Sequence, residues 1–239
     1  MAYDSTLDEN VGFVDLRFSH DENTSSSTKV VSHCLQFYIK SILSDFSRPL
    51  MFFPTKNLDG ENLVSLVWNA IGTLQNYGLN VICLIADGMR TNRKMFEYMC
   101  NIDRCSYKCR NIYNHLHDIF LIVDPPHLLK TTRNNIFCSR PGGTRMLQRG
   151  SDFILWSHFA KVPYLLESYD LRCSKLTENH LRLNSFSKMR VLYAAQTLSQ
   201  SVSNLMLARG GNEMKSSAWI AALFNKWFDC MNTTCVQMC

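Results

Sequence analysis

Two apolar stretches that each end in an acid constrain this chain more than any other feature. LNVICLIADGMRTNRK (79–94) and DIFLIVDPPHLLKTTRNN (118–135) both run from a β-branched segment through an aspartate into the start of a helix. We expect the first strand to be buried on both faces. Open α/β sheets place ligands at this edge, so Asp87 and Asp124 form a candidate divalent-cation site. For Asp87, capping of the following helix is the alternative.

The composition predicts a folded protein with reduced thiols. Its 239 residues are 46% hydrophobic and 19% charged, which allows one large or two modest cores. A net charge of +5 permits a nucleic-acid partner without requiring one. The ten cysteines follow no secretory leader, so we expect the cytosol or nucleus. Since no apolar run approaches the roughly 20 residues of a membrane span, we expect a soluble chain.

Cysteines and histidines cluster between the two acid-ended strands. The cluster contains Cys100, Cys105, Cys109, His115 and His117. Its spacing lacks a paired CxxC, so we expect surface thiols, with a zinc site as the alternative.

The first half predicts strands and helices in mixed order. A strand over 11–18 precedes an exposed polar loop over 19–29. Residues 31–43 and 48–57 are expected to form a hairpin, with a helix as the alternative for 31–43. Then come a helix over 60–78, a strand over 80–87, a helix over 91–99, a strand over 118–124 and a helix over 127–136. This order predicts an α/β sandwich with a partly parallel sheet.

The second half favours helices. Residues 135–150 mark a boundary, after which no strand is expected. Ser151 is expected to cap a helix over 152–169 that Pro163 kinks or splits. Two further helices are predicted, over 185–211 and 215–232. The first has an apolar face made of Phe186, Met189, Leu192, Leu198, Val202, Leu205 and Met206. The second is expected to bury Trp219, Ile220, Leu223 and Trp227. Asn225, Asp229 and Asn232 share the opposite face of the last helix, where an ordinary solvated face is the alternative.

Four stretches follow one another along the chain: ADGMRTNRKMF (86–96), FLIVDPPHLLKTTRNN (120–135), KLTENHLRLNSFSKMRVLYAAQTLSQSVS (175–203) and AALFNKWFDCMN (221–232). Together they resemble the transposases of P elements and their relatives among the THAP-domain transposases. In that family a helical GTP-binding insertion interrupts an RNase H-type domain. The resemblance implies an α/β fold: a partial RNase H-like mixed sheet with flanking helices over 1–123, then a mostly α-helical insertion domain over 124–239.

The resemblance also implies roles for the acids. Asp87 matches the second of three carboxylates that hold two Mg²⁺ ions in the family. The first and third have no counterpart, so we expect a transposase fragment that does not cleave DNA strands. Asp124 and His127 match a D-x-x-H signature, and we expect their side chains to close a turn by hydrogen bonds, with a catalytic role as the alternative. Lys130 and Arg133 are expected to meet a phosphate or to form a solvated basic face.

For GTP, the resemblance implies that Lys175, Arg190 and Val191 lie near the phosphates and ribose. Asp229 matches the residue that selects guanine, and Asn232 matches its neighbour one turn on. A carboxylate can accept hydrogen bonds from both guanine N–H groups, which adenine lacks. No Walker-type glycine loop is present, so the site would differ from a P-loop.

The family's activity is GTP- and metal-dependent cut-and-paste DNA transposition. The resemblance therefore implies DNA at transposon ends and GTP as partners, location in the nucleus and no membrane, and it leaves a homo-oligomer open. The alternatives are a domesticated nucleotide-binding or protein-interaction module without catalysis, or a decaying element with no selected function.

Overall fold

The computed structural model describes residues 2–4, 9–11, 30–100, 107–143, 145–166 and 174–232. The chain divides into two compact units, Met1–Ile122 and Val123–Cys239. The domain boundary that the resemblance implies, between residues 123 and 124, stays a prediction. No helix in the described ranges is long and apolar enough to cross a membrane.

The first unit combines short strands with two helices. Its strands are β1 (Ala2–Asp4), β2 (Glu9–Val11), β3 (His33–Lys40), β4 (Ser47–Thr55), β5 (Cys83–Ala86), β6 (Lys108–Arg110) and β7 (Asp118–Val123), and its helices are α1 (Gly60–Asn76) and α2 (Arg90–Cys100). Antiparallel pairs join β1 to β2 and β3 to β4, and a third sheet has the order β5-β7-β6 with β6 and β7 antiparallel. The described strands thus form separate small sheets instead of one.

Most predicted elements of this unit are confirmed. Residues 31–43 contain a strand and pair with 48–57 as a hairpin. Of the strand predicted over 11–18, Val11 pairs with Ala2, while 12–29, with the predicted loop, lie outside the described residues. The three-residue strand β6 was not predicted, because an alternation of exposed, buried and exposed residues is too short to register as a pattern.

Helix α1 follows directly from its sequence. The Asp59 side chain caps it by accepting from the Asn62 backbone N–H at 2.8 Å. Its end is marked by Gly78, which has φ +74°. The predicted apolar stripe is buried and comprises Leu63, Leu66, Val67, Ala70, Ile71 and Leu74. Leu63, Val67 and Ile71 of this stripe pack with Met95, Met99, Ile119 and Leu121 in the core of the first unit.

The strand before Asp87 is buried on one face only, which corrects the expectation of burial on both. Leu84 and Ala86 pack against the core, whereas Ile85 is 60% exposed. On the neighbouring strand, Phe120 is also exposed and stacks on Tyr107, with ring centroids 6.3 Å apart. The helices therefore cover one face of this sheet, and alternation along the strand sends the other side chains outward.

The second unit is mostly helical. Its helices are α3 (Pro125–Phe137), α4 (Trp156–Lys161), α5 (Glu178–Leu181), α6 (Ser185–Met189), α7 (Val191–Thr197), α8 (Gln200–Arg209) and α9 (Lys215–Met231), and its strands are β8 (Gln148–Arg149) and β9 (Asp152–Phe153). Its core includes Leu129, Ile136, Phe159, Val202, Met206 and Ala218. The fold class is confirmed: mixed α/β followed by a helical unit.

Residues 148–166 differ from the single helix that was expected over 152–169. Gly150, at φ +62°, turns β8 back onto β9, so Ser151 lies in a hairpin turn and caps no helix. The expectation of no strand after the boundary is therefore wrong. Pro163 splits the helix as predicted, because α4 gives way to a 3-10 turn over Val162–Leu166.

The predicted helix over 185–211 is three helices. Asn184 caps α6 and Ser199 caps α8, while Arg190 between α6 and α7 is extended at φ −78°, ψ 115°. Consequently only Leu198, Val202, Leu205 and Met206 of the expected apolar face are buried. Phe186, Met189 and Leu192 are exposed. The extended backbone at Arg190 and the new helix start at Ser199 interrupt the helix, so the apolar period does not continue along one face.

Helix α9 confirms the prediction over 215–232, but its buried face is different. Small residues are buried, namely Ser216, Ser217, Ala218 and Ala221. Trp219 and Leu223 are 40% and 45% exposed, contrary to expectation, while Ile220 and Trp227 pack partly buried against the core. Because α9 packs on α8, small side chains at the contact let the two helices approach closely.

Candidate functional site

Asp87 closes the turn between β5 and α2. Its Oδ1 accepts from the Met89 backbone N–H at 2.9 Å and from Asn92 Nδ2 at 2.7 Å. Asp87 therefore has a structural role close to the capping alternative. It does not cap α2 directly but stabilises the turn that leads into this helix. Its second role, as a metal ligand, stays a prediction.

The described residues do not assemble a ligand set for a divalent ion. Among the described ranges, no group of three or more His, Cys, Asp or Glu side chains lies close enough to hold a metal. Asp87 belongs to the first unit and Asp124 to the second, so the two-acid cation site stays a prediction. One carboxylate cannot by itself fix two ions in the geometry of a two-metal site.

The cysteine cluster is not a set of surface thiols. Cys109 lies in the core of the first unit at 5% exposure, and burial raises the pKa of its thiol to about 11. Cys100 donates from Sγ to the Lys108 carbonyl at 3.6 Å, while Cys105 lies outside the described residues. Burial disfavours the thiolate and so makes Cys109 a poor nucleophile, and Cys109 acts as an apolar core residue.

Asp124 has a structural role at the start of α3. Its Oδ2 accepts from the backbone N–H of His127 at 3.1 Å, and Pro125 occupies the first helical position. The turn is therefore closed as expected, but Asp124 bonds to the backbone N–H of His127, whereas a bond to the His127 ring was expected.

Arg133 departs from both sequence interpretations, because it meets no solvent. Its side chain is fully buried, and Nη2 donates to the carbonyls of Ser187 and Lys188, each at 3.0 Å. Burial lowers the pKa of Arg133 to about 10, so the group stays charged at neutral pH. Lys130, one turn earlier, is half-buried.

The residues expected near the phosphates lie on two neighbouring segments. Lys175 and Arg190 are both exposed, and Val191 begins α7 with its side chain packed against the core. The Arg190 guanidinium lies 5.3 Å from the Tyr193 ring centroid, and Nη1 donates to the Tyr193 hydroxyl at 3.3 Å. These contacts restrict Arg190 without covering it.

A buried histidine joins these two segments. His180 Nδ1 lies 3.0 Å from the backbone nitrogen of Thr177, which donates to it, and Nε2 lies 2.6 Å from Gln196 Oε1. Its ring centroid is 4.5 Å from that of Tyr193. Thr177 follows Lys175 by two residues, so this network ties the Lys175 segment to the helix that begins beside Arg190. Sequence reasoning overlooked His180, although the T-x-x-H spacing before a helix is a capping signal.

Asp229, one of the two residues expected near guanine, is oriented by Asn225. Asn225 Oδ1 accepts from the Gln200 backbone N–H at 3.1 Å, and Nδ2 donates to Asp229 Oδ2 at 2.6 Å. Asp229 is exposed, as is Asn232 at the end of α9. Asn225, which is itself bonded to the start of α8, thus orients the Asp229 carboxylate. An ordinary solvated helix face does not require such an arrangement. Helix α7, which begins at Val191 directly after Arg190, packs on α9, which carries Asp229.

Comparison with known proteins matches both units. The family described as "TNP-like, RNase H N-terminal domain" matches residues 1–100, and the one described as "TNP-like, GTP-binding insertion domain" matches residues 126–237. The Transposable element P transposase of Drosophila melanogaster is 23% identical over 203 residues, which are 82% of this chain and 25% of that protein.

A solved structure, the Drosophila P element transposase strand transfer complex, has the same fold. It aligns with a TM-score of 0.71 and 20% identity over 95% of this chain and 51% of that chain. The present chain therefore spans about a quarter of the relative's length and about half of the chain in the solved structure.

Proposed function

Because this chain belongs to the TNP-like transposase family, with its RNase H N-terminal domain and GTP-binding insertion domain, we propose that its second unit binds GTP. Lys175 and Arg190 would bind the phosphates, Val191 would lie beside the ribose, and Asp229 and Asn232 would select guanine. The domain boundary we propose is the one between residues 123 and 124.

The arrangement of Asp229 carries this proposal. Its carboxylate is exposed at one end of α9, while Asn225 holds one oxygen at 2.6 Å and so orients the group. A carboxylate in this state can accept from the N1–H and exocyclic amine of guanine, whereas adenine has an acceptor at N1. Arg190 and Lys175 supply the positive charge that a triphosphate requires, and Tyr193 keeps the guanidinium in place.

The wider activity is proposed from the family. We propose that the chain acts in GTP-dependent, metal-dependent cut-and-paste DNA transposition, with transposon-end DNA as partner and the nucleus as its location. Asp87 would be the second of three carboxylates that hold Mg²⁺. Because the described residues supply no complete ligand set, we propose no strand cleavage by these residues alone.

A nucleotide-binding module without catalysis is the second candidate. The observation that favours it is the difference between the two sites: Lys175, Arg190 and Asp229 are exposed and available to a ligand, while Asp87 already holds its own turn. Both candidates share the GTP site, and magnesium-dependent DNA nicking that disappears in Asp87→Ala would exclude the module.

Titration with fluorescent GTP tests the proposed site. We expect saturable binding that unlabelled GTP displaces and ATP does not. Asp229→Ala should weaken GTP binding about 10- to 100-fold, because a charged, paired acceptor is lost. Glu213→Ala is the matched control, since it removes another exposed acid of the same unit and should leave the affinity unchanged.

Two results would contradict the proposal. The first is a folded wild-type chain, verified by circular dichroism, that binds no GTP. The second is equal displacement by ATP and GTP, which would remove the guanine-selecting role of Asp229.

A further inference from the structure

Arg133 is the largest fully buried side chain in the described part of the chain. Two of its nitrogens, Nε and Nη1, have no hydrogen-bond partner there. A buried charge with unmet donors is unfavourable, and an apolar side chain of similar volume is often equally stabilising at such a position. Stability alone therefore explains Arg133 poorly.

The donors that Arg133 does use converge on the end of α6. Nη2 donates to the Ser187 and Lys188 carbonyls, and the adjacent Asn134 donates from Nδ2 to the Lys188 carbonyl at 3.4 Å. The last carbonyls of a helix lack partners within it. Helix α3 thus supplies those partners, and α6 ends at Met189 instead of continuing.

The end of α6 determines where Arg190 begins. Arg190 is both the last cap of α6 and the first cap of α7, with an extended backbone. Its N–H donates to the Ser187 carbonyl at 3.2 Å, the same oxygen that Arg133 binds. The backbone of Arg190 is therefore fixed from the α3 side, while Tyr193 contacts its guanidinium from the α7 side.

We propose that Arg133 is a positioning residue for the nucleotide site, which sets the junction between α6 and α7 and thereby directs Arg190 at the phosphates. This inference rests on the proposed GTP site. Arg133 itself is fully buried, so under this proposal it acts through Arg190 and makes no contact with the nucleotide. Its effect should therefore appear only for ligands that carry phosphates.

The test compares GTP with guanosine as ligands of Arg133→Met. Affinity for GTP should fall about tenfold, as in Arg190→Ala, while affinity for guanosine stays unchanged. The double variant Arg133→Met/Arg190→Ala should bind GTP as Arg190→Ala does, because both changes remove the same contact. Arg140→Met, which removes an exposed arginine just beyond the end of α3, is the matched control and should bind both ligands normally.

Hydrogen exchange measured without nucleotide gives an independent readout. Amides at residues 188–191 should exchange faster in Arg133→Met than in wild type or Arg140→Met. If Arg133→Met does not fold, Arg133→Lys is the second variant. Lysine keeps the positive charge on a shorter side chain, so we expect a loss of GTP affinity that is again selective but smaller.

The possible outcomes separate this inference from the proposed function. A wild-type chain that binds no GTP overturns both. Wild-type binding that Arg133→Met leaves intact overturns the inference alone. Equal losses for GTP and guanosine, or additive losses in the double variant, also overturn it, since they indicate general damage to the domain.

Discussion

The two units build their candidate sites in opposite ways. In the first unit, Asp87 holds groups two and five residues ahead of itself. In the second, the bonds that order the site span 16 residues from His180 to Gln196, 25 from Gln200 to Asn225 and 54 from Arg133 to Ser187. A local turn can form wherever its strand forms. A site made from distant segments exists only when the helices are packed.

This difference separates the requirements for stability and function. Loosening the second core should disperse the nucleotide site before the chain unfolds, because each site residue depends on another helix. Loosening the first core should leave nucleotide binding intact. The following predictions test this contrast, from the largest expected effect to the smallest.

Phe159→Ala should have the largest effect. Phe159 is fully buried in the second core, so its removal should cost about 3–5 kcal/mol of unfolding free energy. GTP binding should weaken with it, and amides of α7 and α8 should exchange faster. Denaturant titration, hydrogen exchange and nucleotide titration measure the three effects.

Ile119→Ala is the matched control in the first core, where Ile119 is equally buried. It should cost about 2–5 kcal/mol there and leave GTP affinity unchanged. A loss of GTP binding as large as that in Phe159→Ala would show that the two units share one site, and the contrast would fail.

The two units should lose stability at opposite ends of the pH scale. Burial raises the pKa of Cys109 from 9.0 to about 11, so the unfolded state releases this proton at lower pH than the folded state does. The first unit should therefore lose on the order of 2 kcal/mol of unfolding free energy as pH rises from 9 to 11. Burial lowers the pKa of His158, which shares a 2.8 Å hydrogen bond with Ser217, so the second unit loses stability as pH falls below 6.5.

Differences between wild type and variants isolate these two groups from other titrations. Cys109→Val should remove the alkaline loss and His158→Gln the acidic loss, as measured by unfolding midpoints from pH 5 to 11. If Cys109→Val also removed the acidic loss, the assignment of one group to each unit would be wrong.

Removing a helix cap should have the smallest effect on the free energy of unfolding, and the effect should differ between α1 and α8. Asp59 accepts from both the backbone N–H and the Nδ2 of Asn62, at 2.8 and 3.0 Å, so Asp59→Ala should cost about 1 kcal/mol. Ser199 accepts from Val202 at only 3.4 Å, and Asn225 supports the same end of α8, so Ser199→Ala should cost roughly half as much.

The control for the caps is Asn225→Ala combined with Ser199→Ala. Without the Asn225 side chain, which accepts from the Gln200 N–H, Ser199→Ala should cost about 1 kcal/mol of unfolding free energy, as Asp59→Ala does. Unfolding in denaturant measures all four variants. Equal costs for Ser199→Ala in both backgrounds would argue against tertiary support of α8.

The sequence predicted most of the first unit because its signals are local. Apolar residues at three- and four-residue spacing, an Asp cap and Gly78 define α1 without reference to any other segment. The outward face of β5 was not predictable, since an apolar run does not reveal whether one or two layers cover it. That depends on partners distant in sequence.

The second unit was less predictable for the same reason. The apolar period over 185–211 continues through Ser199, whose capping spacing was present but outweighed by the longer pattern. On α9, the small residues that allow close contact are buried and Trp219 is exposed. Family resemblance supplied Lys175, Arg190 and Asp229, while their supports His180, Asn225 and Arg133 became visible only through contacts.

The bond from Arg133 to the end of α6 also has an evolutionary consequence. Its acceptors are the backbone carbonyls of Ser187 and Lys188. Every amino acid carries such a carbonyl, so mutation at 187 or 188 does not by itself remove an acceptor, whereas mutation at 133 removes the donor. Selection on this bond therefore acts on one partner alone, and the two ends of the bond need not covary.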